Sequence, residues 1–418
     1  LNLSNWLSLL RPEIQAFLQA YLQIPVTDLV LKKKRNPDFP IQEIAEQLAS
    51  RRKAAHKLPE WSAKPTVLLP ALAFEQCSSS LTAHFKCELI GKGKLLIDLT
   101  GGLGVDTYFF AQYFERVIHV EPNADLQAIV RHNFTELGVH NVEFVNQTAE
   151  TFIAQNSQAG DSSDYPKEGG IVVYIDPSRR DTQQQRVFRL TDCVPNIVEI
   201  FPQLFEITPT VWLKASPMLD IQQGIYELKN VRKVYAVAVE NEMKELLFHL
   251  EATSFSFGVG AGGEAEITAV NLNAKGKQAF VFKKSAESLV KIDYQLPQKY
   301  LYEPNAAILK AGAFHSFAHR FNVAKLHPNS HLYTSAAYIA TPARTFEILH
   351  ICPYRKQDIL PLLASKRANI TVRNFPDSVA QIRQKLGLKE GGDCYIFATT
   401  NLSGKPIVLI CKKLIEPI

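Results

Sequence analysis

Residues 95–107 read LLIDLTGGLGVDT, a short apolar run that breaks into a glycine-rich turn and then opens a helix. Leu95, Leu96 and Ile97 suit a strand buried on both faces, and Gly101, Gly102 and Gly104 give the backbone the freedom of a tight turn. Asp106 and Thr107 then start a helix through Phe110 and Tyr113, whose N-terminal amides face whatever sits over the turn. The next strand, Val117 to Val120, ends in Glu121, placed to accept hydrogen bonds from both hydroxyls of a ribose. Gly102, Gly104 and Thr107 nearly match a dinucleotide fingerprint, and a strand-to-helix turn without ligand competes with that reading. Two features point away from a nicotinamide enzyme. Asp98 ends the first strand, where a carboxylate crowds a pyrophosphate but suits the cationic end of a methionine-like ligand. Downstream, Ile171 to Asp181 reads IVVYIDPSRRD, a buried strand running into an Asp-Pro turn.

With both in place, residues 81–274 resemble the class I S-adenosylmethionine-dependent methyltransferases. More closely, LIDLTGGLGVDT, YIDPSRRD and WLKASPMLDI resemble the bacterial methyltransferases that carry a THUMP-like C-terminal domain. The resemblance implies an α/β chain: a Rossmann-like doubly wound methyltransferase sheet with an N-terminal helical region and a small α+β C-terminal domain. It implies S-adenosylmethionine as cofactor, with Asp98 and the Gly101, Gly102 and Gly104 backbone around the methionine part and Glu121 at the ribose. Gln147 and Thr148, just past the third strand, would face the adenine, although many relatives place an Asp near Gln147. Thr100, Thr107, Pro122 and Asp176 complete that set.

The acceptor would be read at Asp176-Pro177-Ser178-Arg179, with Asp176, Pro177 and Arg179 as the catalytic candidates. In enzymes methylating base amino groups, the acid and backbone carbonyls of this turn take amino hydrogens and an aromatic fourth residue stacks on the ring. Here Arg179 stands in place of the aromatic, and a guanidinium can stack on a base or bind its phosphate. Cys193 lies downstream and competes as a thiolate nucleophile for carbon-5 methylation or as a small buried hydrophobe in a loop entering a helix. Arg179, Arg180, Arg186 and Arg189 could form a phosphate lip, or pair with Asp181 and Asp192 as salt bridges.

At 418 residues the chain should hold two or three domains, and 46% hydrophobic with 21% charged residues is a globular composition. Its longest apolar runs are too short to span a bilayer and no signal peptide precedes the first helix, which places it in the cytoplasm as an expectation. Leu1 in place of Met points to a trimmed or truncated N-terminus, which leaves the true start open. The six cysteines form no CxxC pair, so neither zinc nor a disulfide framework is indicated. The net charge of +5 is uneven. Residues 1–80 hold 10 basic and 7 acidic side chains (+3), 81–274 hold 15 and 25 (−10), and 275–418 hold 21 and 9 (+12). A basic module beside an acidic core is the pattern of a protein that grips a polyanion with one domain and modifies it with another; scattered solubilising lysines are the alternative.

Along the chain, stripes through Trp6, Leu9, Phe17, Leu18 and Tyr21 and through Ile41, Ile44 and Leu48 predict two helical segments in an N-terminal region, 1–80. Basic clusters at Lys32–Arg35 and Arg51–Lys57 could grip phosphates or close helix C-termini. Ser78, Ser79 and Ser80 precede a helix with Leu81, Phe85 and Leu89 on one face, and could cap it or touch the ligand. The methyltransferase domain, 81–274, should continue with a helix from Ala124 to Leu137, a strand Val142–Val145, a helix from Thr148, a polar loop over 156–170 and a fifth strand Thr210–Ala215. A helix Met218–Leu228, a strand Val234–Val239 and a helix Met243–Glu251 follow, then a last strand, Glu264–Leu272, which the resemblance makes antiparallel. Lys275–Gln298 reads as a boundary, with a linker module over 275–345, in which Tyr300–Phe321 carries a helix, and the THUMP-like domain over 346–418, with a strand Ala368–Arg373, a helix Asp377–Leu386, a Gly391-Gly392 turn and a hairpin of Tyr395–Ala398 with Ile407–Cys411. THUMP domains proper bind RNA. Three functions stand open: an RNA methyltransferase fed by the basic C-terminal domain, a small-molecule methyltransferase, and a non-catalytic cofactor-binding, RNA-associated scaffold. For RNA, Lys366, Arg367, Arg373, Arg383, Lys385 and Lys389 lead, with Tyr354, Phe375 and Tyr395 available for stacking.

Overall fold

The apolar triplet that opens the key stretch becomes the middle of a parallel sheet, with Leu95, Leu96 and Ile97 no more than 2% exposed. The structure, a computed structural model, describes residues 1–23, 38–157, 170–179, 189–252 and 264–414, with the backbone alone at Arg179. The basic cluster at 32–35 and most of the expected loop over 156–170 lie outside the described residues. Two compact units result, Leu1–Arg232 with Leu247–Gly262 and Lys233–Leu246 with Gly263–Ile418.

Strands of the first unit are β1 (Gly93–Asp98), β2 (Phe114–Val120), β3 (Val142–Val145), β4 (Ile171–Ile175), the short β5 (Ser178–Arg179) and β6 (Cys193–Val194), and β7 (Thr210–Ala215). β1 pairs in parallel with β2 and β4, β2 with β3, and β4 with β7. Helices Val105–Phe110, Ala124–Leu137, Ala149–Ser157 and Ile197–Ile207 connect them, so the alternation expected of a doubly wound sheet is present. Asp98, Glu121 and Asp176 therefore stand at or just past the carboxyl ends of β1, β2 and β4, with Gln147 two residues beyond β3. The N-terminal helices Leu3–Ser8, Pro12–Tyr21 and Ile41–Lys57 belong to this unit, burying Trp6, Leu9, Ile14, Leu18, Ile44 and Leu48 against Leu68 and Ile129. Within the Arg51–Lys57 cluster, Arg52 Nε donates to Leu22 O (2.7 Å) and Lys57 Nζ to Phe74 O (2.6 Å), so these two side chains close helix ends.

Two corrections arise where the chain passes between units. The segment expected as a helix from Met243 is a strand, β9 (Glu242–Glu251), joined to β8 (Val231–Val239) through Glu240 and Asn241, both left-handed at φ 48° and 65°. That is the backbone of a tight hairpin. Met, Lys, Glu and Leu favour helices, but Leu246, Leu247, Phe248 and Leu250 are all buried, and a continuous apolar run fits a doubly covered strand as well as a helix. The reversal of direction therefore falls at β9. β10 (Glu266–Asn273), expected antiparallel, pairs in parallel with β8 and antiparallel with β11 (Gly276–Lys283). The expected boundary after Lys275 is thus a strand, alternating Phe280 and Phe282 inward.

In the second unit β12 (Tyr300–Pro304) precedes the helical part of Tyr300–Phe321, which is two helices, Ala306–Ala311 and Phe314–Phe321, broken where Gly312 turns left-handed. With β13 (Ala324–Lys325), β14 (Tyr333–Ser335), β15 (Ala343–Pro353), β16 (Asn369–Arg373), β17 (Cys394–Thr400) and β18 (Pro406–Lys413) it forms a sheet ordered β13–β14–β12–β15–β18–β17–β16. The expected strand near 368–373, helix (Val379–Leu386) and terminal hairpin are all present.

Candidate functional site

Asp98, at the end of β1, ties the two sides of the glycine turn together: Oδ1 accepts from the Thr100 amide (3.1 Å) and Oδ2 from Thr107 Oγ1 (2.6 Å). It is 1% exposed, and burial pushes its carboxyl up to about 7 despite those two donors. Gly101 lies on the His119 ring, so closely that a Cβ there would come within 2.2 Å of Nε2; burial in turn lowers His119 to about 4. At Gly102 (φ 53°) the opposite holds: a Cβ would meet only Thr100 O, at 3.9 Å. Gly104 is the residue before the helix Val105–Phe110.

The Gly102 amide donates to Glu121 Oε2 (3.0 Å) and the Asn123 amide to Oε1 (2.8 Å). Burial raises Glu121, and these two amides pull it back in part. An ionised carboxylate has about four lone-pair sites, so with two amides bound Glu121 keeps acceptor capacity for two further donors. The open face over Gly102, edged by this acid, is a cradle that a side chain would fill, and the residues present fit a nucleoside-bearing cofactor. Asn146 Nδ2 binds Glu121 O (2.8 Å) and Pro122 O (3.1 Å), joining the loop after β3 to this corner. In that loop Gln147 Nε2 donates to Gln155 Oε1 (3.2 Å) and Thr148 Oγ1 accepts from the Thr151 amide (3.2 Å), so neither is bonded to the glycine turn.

Asp176 joins the same corner, its amide donating to Thr100 Oγ1 at 2.6 Å. Beyond Pro177, β5 pairs with β6, setting the Arg179 backbone opposite Cys193. Cys193 thus lies in a short strand beside the Asp-Pro turn, a local pairing that its sequence surroundings did not disclose. The side chains of Arg179, Arg180, Asp181 and Arg186 lie outside the described residues.

Sequence reasoning missed Lys86 and Lys214 beneath this turn, and with them the contacts of Ser78 and Asp106. Lys214 on β7 places Nζ 2.5 Å from Asp176 Oδ2 and 3.5 Å from Ser78 Oγ. Ser78 Oγ accepts from Lys86 Nζ (2.8 Å) and donates to Asp106 Oδ2 (2.9 Å), which also accepts from the Tyr174 hydroxyl (2.9 Å). Lys86 Nζ stands 3.1 Å from Asp106 Oδ1, the two side chains 1% and 10% exposed. Burial alone would raise Asp106, but Lys86, Lys214 and Tyr174 outweigh it and hold the carboxyl below its usual range. The signal was available: Lys214 interrupts the apolar run VWLKA, and Lys86 follows Phe85 on the inward face of the helix Ser80–Ile90. Leu81, expected on that face, is 44% exposed, and Ser79 caps the helix.

In the second unit, three of the six basic candidates hold acids: Arg373 binds Glu303 (2.8 Å), Arg383 Glu390 (3.1 Å) and Lys385 Asp377 (2.6 Å). Glu303, 2% exposed, is also bound by Arg344. Lys366, Arg367 and Lys389 are exposed and emerge side by side, because the Lys389 amide donates to Lys366 O (2.9 Å) and the Ala368 amide to Lys389 O (3.0 Å). Tyr354 packs on Phe375 and bonds Asp377 (2.8 Å), and Tyr395 packs on Phe346. Among the described residues no helix is long and apolar enough to cross a membrane, and no cluster of His, Cys, Asp and Glu could hold a metal ion.

Residues 300–341 match a family described as a ferredoxin-like domain, and residues 343–413 one described as THUMP domain-like. A comparison with curated proteins finds no match. Among solved structures, a protein of Porphyromonas gingivalis W83, provisionally described as a methyltransferase, is 30% identical over 96% of this chain and 98% of its own, with TM-score 0.81. An rRNA methylase from Streptococcus thermophilus is 15% identical over 41% of this chain and 95% of its own, with TM-score 0.28, a likeness too partial to bear on substrate. Full-length similarity to the Porphyromonas protein, the THUMP domain-like match and the doubly wound sheet agree: the chain belongs to the bacterial class I S-adenosylmethionine-dependent methyltransferases that carry a THUMP-like C-terminal domain.

Proposed function

We propose that the first unit binds S-adenosylmethionine at the corner of Asp98, Gly102 and Glu121 and transfers its methyl group to RNA gripped by the basic second unit. The observation that carries the cofactor is the open backbone at Gly102 bonded to an acid that retains acceptor capacity at the end of β2. Asp98, Thr100 and Thr107 hold the turn in shape from below, the Glu121 carboxylate takes the ribose, and Gln147 and Thr148 border the adenine. Bound there, the cofactor supplies an electrophilic methyl on a sulfonium, whose transfer rests mainly on proximity and alignment. Asp176 and Pro177, locked to the same turn through Thr100, face the acceptor.

RNA is favoured by charge. An acidic core repels phosphates, so an attached +12 region must supply the attraction, and its match to a THUMP domain-like family points the same way, since THUMP domains proper bind RNA. Lys366, Arg367 and Lys389 form the leading contact surface. Calorimetry tests the cofactor: the demethylated product S-adenosylhomocysteine should bind and NAD should not. Mass mapping of RNA from cells with and without the protein tests the substrate, and an unchanged modification profile favours the small-molecule alternative.

A further inference from the structure

Asp176 is not alone at the acceptor turn. Asp176 and Lys214 follow one another across parallel strands, one residue beyond the Ile175–Leu213 pair, and their side chains meet at 2.5 Å. The carboxylate oxygen that would take the hydrogens of a base amino group is therefore held by an ammonium. Behind it the charges are matched, Lys86 against Asp106, with Ser78 bridging toward Lys214. Exposure rises outward along this chain, from 1% at Lys86 through 13% at Lys214 to 33% at Asp176. The Asp176–Lys214 pair is where the network meets the outside.

Acceptor chemistry separates on this point. An amino nitrogen gains positive charge as it takes a methyl cation, and an ammonium beside it opposes that change. A hydroxyl oxygen gains negative charge as it gives up its proton, and the same ammonium stabilises it. Resting on the RNA reading above, we infer that the acceptor is a hydroxyl, the ribose 2′-hydroxyl of RNA, with Lys214 as a further catalytic residue. The acceptor oxygen forms the new bond to the methyl carbon of the sulfonium donor. The carbon–sulfur bond breaks with its electron pair passing to sulfur, which becomes a neutral thioether. The hydroxyl proton goes to the Asp176 carboxylate and from there to water, while Lys214 balances the charge on the oxygen. Ser78, Lys86 and Asp106 are positioning residues that fix the Lys214 ammonium.

The test incubates the full chain with methyl-tritiated S-adenosylmethionine and total RNA from cells lacking the protein, then digests the RNA to nucleosides for mass spectrometry. Label on 2′-O-methylnucleosides is the expected result. Label on a base overturns the hydroxyl acceptor and leaves the RNA methyltransferase reading standing; no label in RNA, with S-adenosylhomocysteine still bound, overturns both. Lys214→Met should lose transfer by at least about 100-fold, the range of a lost acid–base group, with cofactor affinity by calorimetry little changed. Full turnover in that variant overturns the role of Lys214, and because product identity is read on the unaltered chain, a variant that fails to fold leaves the main outcome intact.

Discussion

In the first unit Lys86, Asp106 and Lys214 stand 1%, 10% and 13% exposed, each against an opposite charge or a hydroxyl. The lysines and arginines of the second unit mostly stand in water: Lys299 is 58% exposed, Arg355 62% and Lys385 58%. Buried charge fixes geometry at a steep cost if one partner is lost, whereas exposed charge projects a field that salt screens. On the proposed function, one unit holds reacting groups still and the other attracts a polyanion. Glu303, buried between Arg344 and Arg373, is an exception in the second unit and takes two arginines out of the field.

The contrast can be broken by removing charge in each place. Lys86→Met takes the contacting ammonium from buried Asp106 and leaves it the Ser78 and Tyr174 hydroxyls, and the first unit should lose about 3–5 kcal/mol in urea unfolding. Adding Asp106→Leu should restore much of that loss; a Lys86→Met chain as stable as the parent would show that the buried pair holds nothing. Glu121→Ala should weaken S-adenosylhomocysteine binding by about 1–3 kcal/mol in calorimetry, the scale for stripping a partner from buried polar groups.

The third prediction concerns pH. Asp98 is raised to about 7 from 3.8, so the folded state holds its proton more tightly than the unfolded chain. Its contribution is greatest below pH 3.8, falls by up to about 1.4 kcal/mol per pH unit between there and about 7, and is flat above. Asp98→Asn should flatten that window relative to the parent, and parallel profiles would contradict the burial of Asp98. Asp106, held low, acts in the opposite sense: its stabilisation is present above pH 3.8 and lost as pH falls through its folded value. At the small end, Arg383→Ala removes a pair whose acid is 75% exposed, and stability should change by less than about 1 kcal/mol.

These effects rank by burial, and burial is what the sequence discloses least evenly. The corner from Leu95 to Glu121 was legible because strand, turn and acid are contiguous and each has a local signature. The terminal hairpin was legible by its alternation around a loop. Lys214, Ser78, Lys86 and Asp106 were not, because their meaning lies in contacts between residues up to 136 positions apart, as between Ser78 and Lys214. β9 was misread for another reason: its residues favour a helix, and only the left-handed pair Glu240 and Asn241 betrays the hairpin. The basic surface was legible as a total but not in detail, since Arg373, Arg383 and Lys385 count toward +12 while being held by acids.

The division of labour between the units is tested most directly on the full chain carrying Lys366→Ala, Arg367→Ala and Lys389→Ala together. RNA affinity measured across a salt series should fall, and its log–log slope should shrink by roughly 0.7 for each phosphate of single-stranded RNA that is no longer neutralised. KM for RNA should rise with kcat and S-adenosylhomocysteine affinity retained. An unchanged slope and an unchanged KM would contradict the account, for RNA would then not be held by this surface.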